Sequence, residues 1–518
     1  MSTNPTPIYD VLISGAGPVG LLLATELKLQ SPEARILVLE RRTTPDTAIK
    51  AGGINTASVE MLERRGLLPA IQSVSAAYLG PDRGVGGKKT GYAGSVGHFG
   101  GIHVPAAPVD MEDVLLKGRG RNGWYMMLAQ LDLERILNDR ALELGVCIRR
   151  GVEVTGLKAD GAGVTVKIDR DEGEQEKEVR GHWLVGCDGG HSTVRRLAGF
   201  DFPGTDPQIT GRAATVEIEG AEDLGQGWQY TIQGVYVCGP MPGRVRTVEF
   251  DGPPADKDAP VTAHEMESSL RRVSGVEGIR ISSVSGGMRF TNNARQASTY
   301  RRGRVFLCGD AAHVHSPFSG QGLNLGLGDA VNLGWKLSAV MQGWGTDDLL
   351  DTYMSERHPI GVRVLDWTRA QVAVMRGDPD SSALRGVMTD FLGTRDGATH
   401  YVKQISGLWP QYELGGRSPL VGMTMPVIQL DDGTLLADHA HDGRSLLLVL
   451  AENEKLVGLA ERWAGRLKLI QGRSGIAGID SLLIRPDGIV AWVATGGVGD
   501  IEGLEAALVR WLGYSEPI

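Results

Sequence analysis

Two stretches of the chain combine residue types that hold anionic or polyhydroxylated ligands. One runs Gly303-Arg-Val-Phe-Leu-Cys-Gly309-Asp310-Ala-Ala-His-Val-His-Ser-Pro317-Phe318-Ser319-Gly320-Gln321-Gly322-Leu323-Asn324. Its apolar run, residues 305–308, predicts a buried strand. Asp310 then sits at that strand's carboxyl end, where open α/β sheets bind their ligands. A glycine-rich loop follows, and Leu323, Leu325, Leu327, Ala330, Val331 and Leu333 continue as an apolar-periodic helix. A loop feeding a helix N-terminus presents free backbone N–H groups and partial positive charge. That suits phosphate, hydroxyls or a delocalised anion.

The other stretch lies near the start. Tyr9-Asp-Val-Leu-Ile-Ser14 reads as a strand, followed by Gly15-Ala-Gly17-Pro18-Val19-Gly20, a helix through Leu21, Leu22, Leu23, Ala24 and Leu27, and the strand Ile36-Leu-Val-Leu39 ending in Glu40. This is a dinucleotide fingerprint in its full context of strand, loop, helix, strand and acid. Gly15 serves the tight turn, Gly17 the approach of a pyrophosphate and Gly20 the packing of helix on strand. Glu40 is placed to accept hydrogen bonds from a ribose. Gly161-Ala-Gly163 and Gly496-Gly497-Val-Gly499 lack that context. A single fingerprint implies one tightly held dinucleotide, so any nicotinamide cosubstrate must bind without its own Rossmann fold.

Both sites need an α/β scaffold to carry them. Residues 8–70 read βαβ plus a helix over 58–67, and residues 75–122 have no clean period. Residues 130–144 read as a helix; residues 146–154, 164–168 and 178–185 read as strands. Short alternating stretches across 206–290 predict an antiparallel sheet inserted into the nucleotide fold. Residues 346–416 read helical and polar. Near residue 420 a new unit begins. Its order is strand 445–450, helix 454–463, strand from 481, a Pro486-Asp-Gly488 turn, strand 489–492 and a closing helix 501–512. That order suggests a thioredoxin-like module; without redox cysteines it serves structure or oligomerisation. The expected fold class is α/β: a Rossmann-like domain with an inserted antiparallel-sheet substrate domain and a C-terminal thioredoxin-like domain. The expected divisions are 1–75, 123–205 and 291–370 for the dinucleotide domain, 76–122 for a mixed segment at the substrate side and 206–290 for the substrate sheet. Residues 371–418 form a helical linker and 419–518 the terminal module.

Bulk properties exclude several classes. The 518 residues carry 53 Lys+Arg against 62 Asp+Glu, a net charge of −9, which disfavours nucleic acid as partner. Cys147, Cys187, Cys238 and Cys308 are dispersed, with no Cys-x-x-Cys, so no disulfide framework or zinc site is signalled. No run of about 18 apolar residues predicts a membrane span, and the opening Met-Ser-Thr-Asn-Pro-Thr-Pro is unlike a signal peptide. A cytoplasmic setting is expected.

Three motifs together carry a resemblance: Gly15-x-Gly17-x-x-Gly20; Gly186-Cys-Asp188-Gly189-Gly190-His-Ser-Thr-Val-Arg195 followed by Gly199-Phe-Asp-Phe-Pro-Gly204; and Gly309-Asp310 with the loop from Pro317 to Asn324. The chain resembles the single-component FAD-dependent aromatic hydroxylases of the para-hydroxybenzoate hydroxylase fold. It is most similar to the branch of aromatic polyketide hydroxylases and rifampicin monooxygenase. The similarity covers about residues 8–370, and the cysteine-poor tail and Asp366-Trp-Thr-Arg369-Ala-Gln371 also fit that branch. The resemblance implies FAD, with NADPH preferred over NADH as cosubstrate. It places Asp310 on the ribityl hydroxyls, Asp188 on the paths of both cofactors, and Gln130 against the flavin. Arg41 lies by the adenosine and the Val154 backbone by the adenine. The N–H groups of residues 320–324 then face flavin N1 and C2=O, with Gln321, Gly322 and Leu323 among them. Three positions depart from the pattern. Lys50 stands for an arginine that reaches the pyrophosphate, keeping the charge without the bidentate fork. His191 replaces an arginine, and Ser319 replaces the first glycine of the flavin loop.

The chemistry implied is reduction of FAD by NAD(P)H, formation of a C4a-hydroperoxide with dioxygen, and attack on its distal oxygen by an electron-rich ring. Expected partners are dioxygen and a phenolic or polyketide-type aromatic, with a homodimer open. The residues leave Baeyer–Villiger oxidation or epoxidation, an FAD oxidase or dehydrogenase, and a non-catalytic aromatic-binding flavoprotein as alternatives. Pro317, Phe318 and Gly320 are expected beside C4a. Trp228, Tyr230, Tyr236 and Phe290 on the inserted sheet are the other substrate candidates, although sheet aromatics are usually core. His313 and His315 read as loop structure beside the flavin, and His98 and His103 as surface residues. No Ser/His/Asp constellation or carboxylate pair demands hydrolysis, and no His/Cys cluster demands a metal.

Overall fold

The computed structural model describes residues 8–48, 50–79, 94–170, 177–239, 242–450, 453–472, 478–495 and 500–515. Short apolar runs, buried at residues 11–13, 36–39, 183–185 and 305–307, become interior strands of a sheet covered on both faces. Val305–Leu307, Glu178–Gly186, Ile8–Ser14, Ile36–Glu40 and Cys147–Arg150 lie side by side and parallel within an eight-stranded sheet. Their carboxyl ends share one edge. The residues that follow Leu307, Gly186, Ser14, Glu40 and Arg150 therefore converge on one crevice. The helices Pro18–Gln30 and Gln321–Met341 pack against each other on this sheet.

The inserted sheet is antiparallel, in the order Gly227–Thr231, Gly234–Cys238, Arg244–Glu249, Thr210–Glu219 and Arg280–Phe290. One face looks onto the crevice. The helix Ala263–Ser274 covers the other, burying Met266, Leu270 and Val273 against Ala214, Tyr236 and Val245. The sequence reading lacked this helix, although its apolar positions recur at helical spacing. It also ran one helix over residues 58–67. Two are found, Thr56–Glu63 and Leu68–Leu79, separated at Gly66, whose φ of 73° no helix interior accepts. The strand expected over 146–154 is broken likewise at Gly151, with φ 69°. A hairpin, Ser95–Phe99 with Ile102–Pro105, forms within the segment that showed no period. Residues 80–93 and 496–499 of the sequence reading lie outside the described residues. The expected division at 370 falls inside the continuous helix Asp347–Val374.

In the C-terminal unit Leu467–Gln471 and Ser445–Val449 pair in parallel, and Ser481–Ile484 and Val490–Ala494 complete the sheet antiparallel. The helices Glu454–Glu461 and Ile501–Leu512 pack on it. This is a thioredoxin-like arrangement, and none of the cysteines of the chain lies in it. A buried ionic cluster fastens it to the rest. Arg485, 1% exposed, donates to Glu356 Oε1 and Oε2 at 2.7 and 2.8 Å and to Asp487 at 2.5 Å. Lys336 donates to Glu356 at 2.8 Å. Burial works against the Glu356 charge, but Arg485 and Lys336 outweigh it and hold the carboxyl well below the usual range. Removing one partner of such a cluster leaves an uncompensated buried charge, at a cost of roughly 3–5 kcal/mol. Arg485→Ala is therefore expected to lower the unfolding free energy by that scale, with a matching fall in the urea midpoint. A variant unfolding with the wild-type midpoint would show that the cluster does not secure the tail.

Candidate active site

The fingerprint turn is held by backbone contacts that leave no room for side chains. Gly15 has φ 108°, and a Cβ there would stand 2.4 Å from Cys187 O. A Cβ on Gly20 would stand 2.1 Å from Gly15 O, so Gly20 fixes helix to strand. At Gly17 a Cβ would meet nothing within 4 Å. That side is open cleft, and Gly17 caps the helix with no side-chain hydrogen bond of its own. The free N–H groups there fit a pyrophosphate. Glu40 stands at the end of its strand and accepts hydrogen bonds from Ala16 N–H at 2.8 Å and Arg42 N–H at 2.9 Å. Arg41, Lys50, Gln130 and Val154 line the same cleft. Lys50 pairs with Asp46 at 2.9 Å. A break in register between Val154 and Gly156 interrupts the ladder where an adenine edge would approach.

Asp188 reaches the cleft, but its carboxylate is engaged locally. It accepts from Ser192 Oγ at 2.5 Å, Thr193 N–H at 2.7 Å and Val194 N–H at 3.0 Å, closing its loop onto a short helix. Arg195 joins that loop to the next strand end by donating to Gly190 O and Ala311 O at 2.8 and 2.9 Å. Asp310, beyond Val305–Leu307, is exposed into the cleft and accepts no hydrogen bond from a described residue. Its oxygens are open to the cleft.

The loop of residues 317–320 turns tightly into the helix Gln321–Met341. Among the described residues Ser319 is the one non-glycine with positive φ, at 64°. Its hydroxyl donates to Gln371 Oε1 at 2.7 Å, and the same oxygen accepts Gly100 N–H at 3.1 Å. Thus the residue that departs from the glycine pattern keeps the glycine conformation and adds a tether. Pro317, Phe318, Gly320, Gly322 and Leu323 line the cleft. The side chains of Gln321 and Asn324 point elsewhere: Gln321 donates to Ser319 O at 3.2 Å, and Asn324 accepts Asn55 N–H at 2.9 Å. Tyr125, absent from the sequence reading, faces Gly320; a Cβ on that glycine would lie 2.9 Å from its hydroxyl. Burial pushes the Tyr125 phenol up to about 12.

Strand alternation sorts the aromatic candidates. Trp228 and Phe290 lie on the cleft face, where both approach Phe318, at ring-centroid distances of 6.3 and 5.8 Å. Tyr236 pairs with Gln229, one residue beyond Trp228, and so occupies the opposite face under the helix Ala263–Ser274. Its expected role toward a substrate is corrected: the hydroxyl accepts Gly225 N–H at 3.1 Å, inside the domain core. Tyr230 likewise serves structure, donating to Gly100 O at 2.6 Å. His98, expected at the surface, lines the cleft 4.6 Å from Trp228, ring centroid to ring centroid. His103 is exposed. His313 is buried with Nε2 2.7 Å from Asp329, and His315 lines the cleft with Nδ1 2.8 Å from Ser316 O. One continuous cavity of about 1330 Å³ joins the cradle to the aromatic wall. That exceeds the roughly 300–1,000 Å³ of common ligand pockets, as a dinucleotide plus a second ligand requires.

The model of the FAD binding domain matches residues 8–368, and that of the C-terminal domain of aromatic-ring hydroxylases matches residues 418–515. The chain therefore belongs to the FAD-dependent aromatic-ring hydroxylases. It is a flavin-dependent monooxygenase of the class that also includes aromatic polyketide hydroxylases. A solved structure described as the anhydrotetracycline hydroxylase of Streptomyces rimosus is similar at TM-score 0.86 and 37% identity, covering 98% of this chain and 100% of that one. Rifampicin monooxygenase of Streptomyces venezuelae is 34% identical over 511 residues, 98% of this chain and 99% of its own. Dialkyldecalin synthase of Streptomyces rugosporus is 35% identical over 509 residues, 97% and 98% respectively. No helix among the described residues is long and apolar enough to cross a membrane.

Two measurements test the geometry. A hydrogen bond to a charged group contributes about 1.5–3 kcal/mol, so Asp310→Ala is expected to weaken FAD binding about 10- to 100-fold by fluorescence titration; unchanged affinity would remove Asp310 from the cradle. His98 gives a pH signature. Burial, with Arg246 and His103 adding to it, lowers its pKa from 6.5 to about 3. The unfolded chain takes up this proton below 6.5 and the folded chain does not until about 3, so stability is lost as pH falls through that window. His98→Gln is expected to lose less stability than wild type across it by urea titration. Parallel profiles would count against a buried neutral imidazole.

Proposed function

We propose that this monooxygenase takes electrons from NADPH and hydroxylates a multi-ring phenolic substrate of the polyketide type. The observation that carries the reading is the single cavity running from the FAD cradle at Gly17 and Asp310 to the aromatic wall of Trp228, Phe290 and Phe318. Bound FAD supplies hydride acceptance and dioxygen activation. The net change balances as NADPH, a proton, dioxygen and Ar–H giving NADP⁺, water and Ar–OH. A ring C–H bond is replaced by C–O, and the second oxygen leaves as water.

The protein's part is placement and exclusion of water. Trp228, Phe290 and Phe318 give flat apolar surface for a fused ring. The N–H groups at the N-terminus of the helix Gln321–Met341 would favour negative charge on a reduced flavin held beside the Pro317–Gly320 turn. Tyr125 and His98 both stay uncharged at neutral pH, one pushed up to about 12 and the other down to about 3. Among the described residues no proton-transfer triad faces the cavity, which suits chemistry that depends on positioning. His191 stands at the cleft where the family pattern has an arginine. A relative of similar identity is named a synthase, so NADPH consumption alone is not decisive.

The test is aerobic turnover of the FAD-loaded enzyme with NADPH and a panel of tetracyclic phenols and rifamycins under ¹⁸O₂. One labelled oxygen per product, matched to NADPH consumed, is the expected result. A rearranged product without label and without NADPH loss would overturn the reading.

A further inference from the structure

The arginines of the inserted sheet fall into two groups. Arg212 and Arg272, away from the cavity, and Arg289 at its edge share Glu249 and Glu265 as counter-ions, Arg212 at 2.8 and 2.7 Å from them and Arg272 at 2.9 Å from Glu249. Arg244 and Arg246 alternate on the strand Arg244–Glu249. Arg246 pairs with Ala213 and Val237, and Val237 pairs with Trp228. Both arginines thus stand on the face of Trp228, Met288 and Phe290, and both line the cavity. Arg244 is 9% exposed, and its guanidinium donates to no described residue. Burial and the charge of Arg246 push its pKa down to about 10, which leaves it charged at neutral pH. The acids on this side of the cavity are Asp206, paired with Arg295, and Asp258 at the rim; the charge felt at Arg244 is that of Arg246. A buried guanidinium with its donors unused is costly in the absence of an anion.

We infer that Arg244, with Arg246 beside it, binds an anionic oxygen of the substrate: an ionised phenol, an enolised 1,3-dicarbonyl or a carboxylate on the fused ring. This rests on the aromatic-hydroxylase reading of the same cavity. The guanidinium fork matches paired oxygens in one plane, as peri-hydroxyl carbonyls and carboxylates present them. With the anion on Arg244 the ring plane lies along Trp228 and Phe290 toward the Pro317–Gly320 turn. Ionisation of a ring hydroxyl at this site also makes the ring the stronger nucleophile, its proton leaving to solvent.

The test compares anthraquinone-2-carboxylate with anthraquinone-2-carboxamide, equal in shape and different in charge, titrated into FAD-loaded enzyme and followed by the flavin spectrum and tryptophan fluorescence. The carboxylate is expected to bind at least about tenfold tighter, the scale of a charge-assisted hydrogen bond. Arg244→Met is expected to abolish that preference and Arg244→Lys to keep most of it, with the flavin spectrum reporting that each variant is folded. Equal binding of the two probes to wild type overturns the inference and leaves the hydroxylase reading standing; binding of neither overturns both. A preference that survives in Arg244→Met while the KM for NADPH rises assigns the pair to a cosubstrate phosphate and overturns the substrate assignment.

Discussion

A carboxylate shut off from solvent, Asp329, fixes the working end of this molecule. One oxygen accepts Gly309 N–H at 3.2 Å and lies 2.7 Å from His313 Nε2; the other accepts Arg357 Nε at 2.7 Å. An unpaired charge in that position would be prohibitive, so the three partners must assemble with it. Gly309 and His313 come from the segment after the strand Val305–Leu307 and Arg357 from the helix Asp347–Val374, while Asp329 itself lies on the helix Gln321–Met341. Arg357 extends the lock to Leu325 O at 2.9 Å and Tyr412 Oη at 3.1 Å. Burial opposes the Asp329 charge, while Arg357 and His313 more than offset this and keep it ionised. The positions of Asp310 and of the Pro317–Gly320 turn follow from that assembly.

A second constraint joins the cofactor side to the substrate side. Ser319 holds a left-handed conformation that costs a residue with a side chain about 1–2 kcal/mol. Its hydrogen bond to Gln371, of roughly 0.5–1.5 kcal/mol, offsets part of this and ties the turn to Gly100 at the hairpin tip. Tyr230 grips the same tip from the inserted sheet. Flavin loop, hairpin and substrate sheet therefore share one set of hydrogen bonds, and movement of any of them is felt by the others.

Much of the dinucleotide half was legible because it depends on local pattern. Glycine spacing, strand length and helical period are short-range properties, and each of Gly15, Gly17 and Gly20 has a distinct steric situation in the structure. The aromatic wall was legible in part. Trp228 and Phe290 face the cavity, whereas Tyr236, a few residues away, is turned under a helix by a single step of strand alternation. Arg244-Val-Arg246 gave no signal, since charged residues at alternate strand positions usually mark a solvent face. Asp329, Arg357 and Tyr125 had no motif to announce them; their partners lie 16 or more residues away in sequence.

The residue order alone determined the βαβ unit that carries the fingerprint, that a dinucleotide site lies at the carboxyl ends of parallel strands, and that the chain belongs with FAD-dependent hydroxylases. Those conclusions rest on neighbours within a few residues, where steric and hydrogen-bonding rules act directly. Tertiary structure decided which face of the inserted sheet meets the cavity, that Arg212 pairs with Glu249 and Glu265 whereas the Arg244 guanidinium donates to no described residue, and that Asn324 holds the strand end at Asn55 while Asp310 is left open to a ligand. These outcomes depend on segments tens to hundreds of residues apart being brought together, and no local pattern encodes which partner will arrive.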